Sequence, residues 1–292
     1  MPNNSLHEPV LVKEVLEGLG PLAHLNRKLK IIDATLGTGG YSQVLLDQGY
    51  QVLAIDADQE MLSIARSRLK GEVKFAEGNF KDLDKIAGAN DFRDPDVILF
   101  DLGVSNLQLT SVNRGFSFTE GSAPLDMRMD RKGQQLTAAD LLNILRRDQL
   151  ESLFGKVLKP WEVKRIVAEI IKVREFSKFV SVADFLAVCS VARTKPGLNR
   201  ATLPFLALRI AVNSELENLE EALPKAYEVV KKGGRIVIIY FHSLERDLVK
   251  SFVKKFEQKL RLVNIEPIGA DFEEIKRNPR ARSARLVILE KL

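Results

Sequence analysis

A chain of 292 residues with 45% hydrophobic content can bury the core of one large domain or two, which excludes a disordered or low-complexity protein. No apolar run approaches the ~20 residues of a membrane span, and the N-terminus carries Asn, His and Glu rather than the basic-then-apolar order of a signal peptide, so a cytoplasmic protein without a membrane partner is expected. The single cysteine, Cys189, excludes an internal disulfide, and 44 basic against 39 acidic residues, a net charge of +5, favour a polyanionic partner.

Along the chain, Ile31-Ile32 followed by Asp33-Ala-Thr-Leu-Gly37-Thr-Gly39-Gly40-Tyr41-Ser42 reads as strand, glycine turn and helix, a unit that cradles an anionic or nucleoside ligand. Val52 to Asp56 is a second buried strand, ending in a carboxylate where a doubly wound sheet places its ribose-binding acid. Ser42 stands where a dinucleotide fingerprint needs its third glycine, and the turn lacks the Gly-Lys-Ser/Thr of a phosphate-binding loop. The remaining pattern, Asp-x-x-x-Gly-x-Gly, is the one associated with S-adenosylmethionine, beside the plainer reading of a tight turn.

Residues 59 to 69 carry Leu62, Ile64, Ala65 and Leu69 in a helical pattern. A third strand at 73 to 76 leads to Phe80, placed to stack on a base or to join the core. A fourth, Val97 to Asp101, leads to Asp101-Leu-Gly103, where ligands bind beyond the carboxyl ends of an open α/β sheet. Asp101 there can accept a hydrogen bond from an exocyclic amine or simply hold a turn, and Gly103 lets the backbone approach a ligand.

The next strand, 235 to 241, begins more than 130 residues later, whereas a crossover needs about thirty. The intervening stretch has helical spacing at Trp161, Val163, Ile166, Val167, Ile170 and Ile171 and again at Val182, Phe185, Leu186 and Cys189. An inserted helical domain over 112 to 205 is therefore expected within a sheet domain formed by 1 to 111 and 206 to 292. The crossover helix resumes at Ser214, with Glu217 as its capping-box partner. A last strand covers 285 to 290. Basic clusters at Arg128 to Lys132, Arg146-Arg147, Arg193 to Arg200 and Asn278 to Arg285 point to nucleic acid. No metal is expected, because His7, His24 and His242 are scattered and the lone cysteine has no ligand-spaced partner.

Asp101-Leu-Gly-Val-Ser, Asn113-Arg-Gly-Phe-Ser-Phe118 and Pro124-Leu-Asp-Met-Arg-Met-Asp130 resemble the bacterial 16S ribosomal RNA cytosine-N4 methyltransferase family. His7 to Leu11, the Gly37 turn, Leu208 to Leu216, Phe241 to Glu245 and Asn278 to Ser283 extend the resemblance in order over nearly the whole chain. It implies a Rossmann-like class I sheet with an inserted helical domain, S-adenosylmethionine as cofactor, and 16S rRNA of the small ribosomal subunit as partner. It also implies that the Gly37 turn binds the cofactor, that Gly39, Gly40 and Tyr41 meet its methionine end, that Asp56 takes its ribose, and that Phe80, Asp101 and Gln108 complete the pocket. The chain departs from the family's pattern at Tyr41, where histidine is usual, at Asn106 to Thr110, at Asn199 to Leu206 and at Arg246-Asp247.

Methyl transfer to a cytosine amine needs an acceptor beside that amine, and Asp101 is the expected one, with Asn106 or a backbone carbonyl as the second. Phe116 and Phe118 are stacking candidates. Arg114, Arg128, Arg209 and His242 are the expected RNA contacts, although Arg128 can equally pair with Asp126 or Asp130, and His242 can hold the Glu245 loop instead. A methyltransferase acting on another RNA or DNA site and a non-catalytic RNA-binding assembly factor stay open as alternatives, as does the oligomeric state, homodimer included.

Overall fold

The computed structural model describes residues 9–20, 22, 27–191 and 199–292. The chain divides into two compact units, one formed by Met1–Ser105 with Leu216–Leu292 and the other by Asn106–Glu215. In chain order the first unit supplies α1 (Val12–Leu19), β1 (Lys30–Asp33), α2 (Gly40–Asp47), β2 (Gln51–Asp56), α3 (Gln59–Arg68), β3 (Val73–Glu77), α4 (Leu83–Ala89) and β4 (Val97–Asp101). The second holds α5 (Asn106–Thr110), α6 (Ala138–Ile144), α7 (Arg147–Gly155), α8 (Pro160–Arg174), α9 (Val182–Cys189) and α10 (Thr202–Asn213). The chain then returns through α11 (Glu215–Val229), β5 (Arg235–Tyr240), α12 (Ser243–Lys255), β6 (Leu260–Leu262), β7 (Ile268–Gly269), α13 (Phe272–Arg277) and β8 (Arg285–Lys291).

The sheet runs β3-β2-β1-β4-β5-β8-β6, with β7 also paired to β8. The first five strands in that order are parallel, and β8 is antiparallel to its three neighbours. Successive strand residues face opposite layers. Ile32, Leu53, Ile98, Phe100, Ile236 and Ile238 pack with Leu83, Leu223 and Val249 on one side, while Ile31, Val52, Val97, Leu99, Val237 and Ile239 pack with Val15, Leu45 and Leu62 on the other. Both faces are covered, and so these strands read in the sequence as nearly continuous apolar runs. The strand order reverses between β1 and β4, which opens a crevice at the carboxyl ends of the parallel strands.

β6 and β7, which the sequence reading lacks, are three and two residues long, too short for an alternation to register. The serine expected to cap the crossover helix does something else: Ser214 takes left-handed backbone (φ 49°) and closes α10, donating its N–H to Ile210 O. That is not the extended backbone an N-cap adopts.

The second unit is helical, and among its described residues the only β pairing is an isolated bridge between Pro124 and Ser181. Capping boxes start α6 (Thr137 with Asp140) and α9 (Ser181 with Asp184). A chain of rings, Phe154 to Phe185 at 6.2 Å, Phe185 to Phe205 at 5.2 Å and Phe205 to Phe118 at 5.6 Å, joins α7, α9, α10 and the loop before α6. The unit spans 106–215 where the strand spacing suggested 112 to 205, because α10 packs on α6 and α7 and carries Phe205 into this ring cluster.

Candidate active site

The turn after β1 is built on backbone that only glycine adopts without strain. Gly37 has φ 53° and Gly39, the residue before α2, has φ 88°; a Cβ on Gly39 would also sit 3.1 Å from the Leu69 side chain. Gly40 is the first residue of α2. Ser42, in place of a third glycine, donates its hydroxyl to Asp33 Oδ2 at 2.6 Å, so its side chain braces the end of β1. Tyr41 is buried with its hydroxyl donating to Val10 O, and burial, then the charges of Asp101 and Asp33, push its phenol well above the ordinary value.

Three aspartates end the adjacent parallel strands β1, β2 and β4. Asp33 is fully buried, and burial raises its carboxyl to about 6 against the opposing hydrogen bonds from Ser42 and Thr35. Asp56 accepts from Gly37 N at 2.7 Å and from Asp58 N at 2.8 Å, tying the glycine turn to the end of β2, and burial with the charges of Asp58 and Asp33 holds it at about 7. Each of its oxygens keeps a second lone pair for a hydroxyl ligand. Asp101 is raised to about 7 by burial, then by Asp33, with Arg280 opposing and Glu245 adding to the rise. Its Oδ1 is sealed from solvent and has no hydrogen-bond donor among the described residues, whereas its backbone N–H donates to Thr35 Oγ1 at 2.7 Å. A buried acceptor left open in this way marks a place for a ligand donor.

The rest of this edge comes from widely separated segments. Phe80 lies in a short 3₁₀ turn (Phe80–Asp82) with its ring edge-on to Phe100 at 5.8 Å, so one side of it packs on the core. Gly103, at φ 101°, carries the backbone away from β4 with Phe241 nearby. Arg280, in the 3₁₀ turn Pro279–Ser283, donates to Val104 O at 2.6 Å and braces the loop after β4. His242 precedes α12: its Nδ1 accepts from Glu245 N at 3.3 Å, while Glu245 Oε2 accepts from Phe241 N and His242 N. The pair forms the capping arrangement that was one of the two readings of His242.

Asn106 and Gln108 lie in α5, in the second unit, where Gln108 is buried. The three arginines expected at RNA also belong to that unit, and each is engaged within it. Arg114 is only 2% exposed, donates to Arg128 O at 3.0 Å and lies over the Phe116 ring, so it has almost no surface to offer a phosphate. Arg128 grips Asp126 with two hydrogen bonds, of 2.7 and 3.1 Å, and donates to Gln134 O. Arg209 holds Glu215 in a two-pronged pair at 2.8 Å each. Phe116 is buried and Phe118 packs on Phe205. His7, His24 and residues 193–198 of the third basic cluster lie outside the described residues.

Two residues of the edge, Asp33 and Arg280, are not among the site residues expected from the sequence. Asp33 was visible as the acid that opens the glycine motif, and the hydroxyl nine residues later was its signal. Arg280 lies in a basic cluster that points to nucleic acid, and nothing local in the sequence distinguishes it from Arg282 or Arg285.

This donor set suits one kind of ligand. Asp33 raises the carboxyls of both Asp56 and Asp101, and three neighbouring carboxylates repel a pyrophosphate but suit a cation. Doubly wound sheet, glycine turn and acid-lined strand ends together define a class I S-adenosylmethionine-dependent methyltransferase. The model of the MraW methylase family matches residues 4–292, and the chain belongs to that family. It is 41% identical over 303 residues to the ribosomal RNA small subunit methyltransferase H of Methylacidiphilum infernorum, covering 98% of this chain and 94% of that one. With the protein of the same name from Dictyoglomus thermophilum it shares 39% identity, over 98% and 97% of the two chains. Among solved structures, an rRNA methylase from Streptococcus thermophilus aligns with a TM-score of 0.45 at 14% identity, over 93% of this chain and 92% of that one.

Proposed function

We propose that the protein methylates the N4 amine of a cytidine in 16S rRNA of the small ribosomal subunit, acting in the cytoplasm. The observation that carries the reading is Asp101: a carboxylate whose Oδ1 has no hydrogen-bond donor among the described residues, at the strand end where ligands of this fold bind, in a chain of the MraW methylase family. S-adenosylmethionine, when bound, supplies a methyl group activated by a positively charged sulfur. Gly37, Gly39 and Gly40 hold its amino-acid end by backbone, Asp56 takes the ribose hydroxyls, and Phe80 flanks the base.

The cytosine amine is a weak nucleophile because its lone pair is drawn into the ring. Asp101 accepts one of its N–H bonds, which turns the lone pair out of the ring plane and offsets the positive charge that grows on nitrogen during transfer. With a carboxyl held near 7, Asp101 is also matched to take the released proton at neutral pH. The helical unit grips the RNA flanking the target base, which has to be turned out of its stack.

Incubating the protein with methyl-labelled cofactor and small-subunit RNA, then digesting to nucleosides, tests this directly. Label in N4-methylcytidine is the expected result. Label in any other nucleoside, or in DNA, reassigns the substrate, and cofactor binding without transfer leaves an RNA-binding assembly factor.

A further inference from the structure

The chain's one tryptophan lies in α8, and the apolar spacing of that segment groups Trp161 with Val163, Ile166, Val167 and Ile170. The last four are buried; Trp161 is 41% exposed and points from the opposite face. Read on that face, Trp161 is followed by Arg165, Ala168, Lys172 and Phe176, steps of four, three, four and four residues that return to the same side of a helix with 3.6 residues per turn. Phe176 sits in the turn that follows α8 and is 85% exposed. The Arg165 guanidinium lies 5.7 Å from the Trp161 ring centre. Lys159 and Lys164 flank the stripe, both exposed. The acidic groups beside it are Glu169, 4.0 Å from Lys172, and the exposed Glu175; a pair this open to water is weak.

Two large rings, Trp161 at 41% and Phe176 at 85% exposure, share one stripe with cations between them and a small residue at the middle. A lone exposed apolar residue is ordinary, but an aligned pair interleaved with positive charge has the composition of a single-strand nucleic-acid platform: rings and guanidinium for bases, amines for phosphates. An extended strand laid along α8 would meet an aromatic near each end, roughly 22 Å apart by helical rise.

We propose that the Trp161, Arg165, Lys172 and Phe176 face of α8 is a docking surface for single-stranded RNA, with bases stacked on Trp161 and Phe176. It rests on the reading above that the substrate is RNA, and names residues that contact the strand away from the methylated base. The positive charge decides for RNA over an apolar protein partner.

Because Trp161 is the only tryptophan, intrinsic fluorescence of the full-length protein reports this face alone. Titration with an oligoribocytidylate of about a dozen nucleotides should quench it saturably, with affinity falling as salt rises. Measured by anisotropy of a labelled oligomer, Trp161→Ala and Phe176→Ala should each weaken binding about tenfold. Trp161→Phe should retain most of the affinity, and circular dichroism and cofactor calorimetry should stay unchanged. An oligomer that binds without quenching, or an acidic peptide that quenches as fully as RNA, overturns the proposal. Quenching by RNA in a protein that makes no N4-methylcytidine supports this surface while removing the N4 assignment.

Discussion

Asp101 and Asp126 are both withdrawn from water, and they are held in opposite states. At Asp126, burial works upward, but the hydrogen bonds and charge of Arg128, with Arg131 at 3.2 Å, bring the carboxyl below its ordinary range. At Asp101, burial is reinforced by Asp33, and the opposing Arg280 does not cancel it. The helical unit completes every demand of its buried acid and gains a rigid loop; the sheet edge leaves its acids partly unanswered, a destabilising arrangement that a cationic ligand relieves. Residue type and burial do not separate structure from function here, whereas the presence of a dedicated cation does.

The sharpest way to break this contrast is Asp101→Ala. Transfer should fall at least about a hundredfold, while the melting temperature holds or rises because a crowded acid has been removed. A variant that turns over normally takes Asp101 out of the reaction.

Next in size is the pH response of the cofactor-free protein. Asp33, Asp56 and Asp101 hold protons in the folded state up to about 6 or 7, whereas unfolded they release them near 4. The folded state thus binds more protons across that window, so stability should decline as pH rises from about 4 to 7. S-adenosylmethionine should flatten the decline. Denaturation curves at several pH values with and without cofactor check it, and a rise in stability over that interval contradicts the carboxylate cluster.

Arg128→Ala should cost about 2 to 3 kcal/mol by stranding Asp126, with cofactor affinity by calorimetry unaltered; an equal loss of cofactor binding would mean the two regions are not independent in this respect. The smallest effect belongs to Arg280→Ala. Turnover should rise with pH through about 7 as Asp101 ionises, and without the neighbouring positive charge that midpoint moves to higher pH. An unmoved midpoint confines Arg280 to bracing Val104.

Much of the sheet edge was legible. The strands at 31, 51, 73, 97, 235 and 285 are doubly covered, and their apolar runs stand out; Gly37 and Gly39 announce a turn because no other residue takes that backbone freely. The arginines were not legible. Arg114, Arg128 and Arg209 sit in the blocks that carry the family resemblance, yet whether a guanidinium faces a phosphate or a carboxylate depends on partners such as Glu215 or on the carbonyl of Arg128, which spacing does not reveal. The exposure of Trp161 was not legible for a related reason: helical period places it in a helix, but it does not say which apolar residue has been left outside.

The placement of the helical unit between β4 and β5 has a consequence for how the molecule is made. These strands are hydrogen-bonded neighbours in the sheet, yet about 110 residues are synthesised between the units' two crossings. At about 5–20 residues per second, β4 waits on the order of ten seconds on the ribosome with one edge unpaired, an open template for another chain. Early collapse of the insert would bring the ends of that long loop together and shorten the search. A defect confined to the insert, such as Arg128→Ala, should then appear in cells first as aggregated nascent protein, before any loss of catalysis per folded molecule.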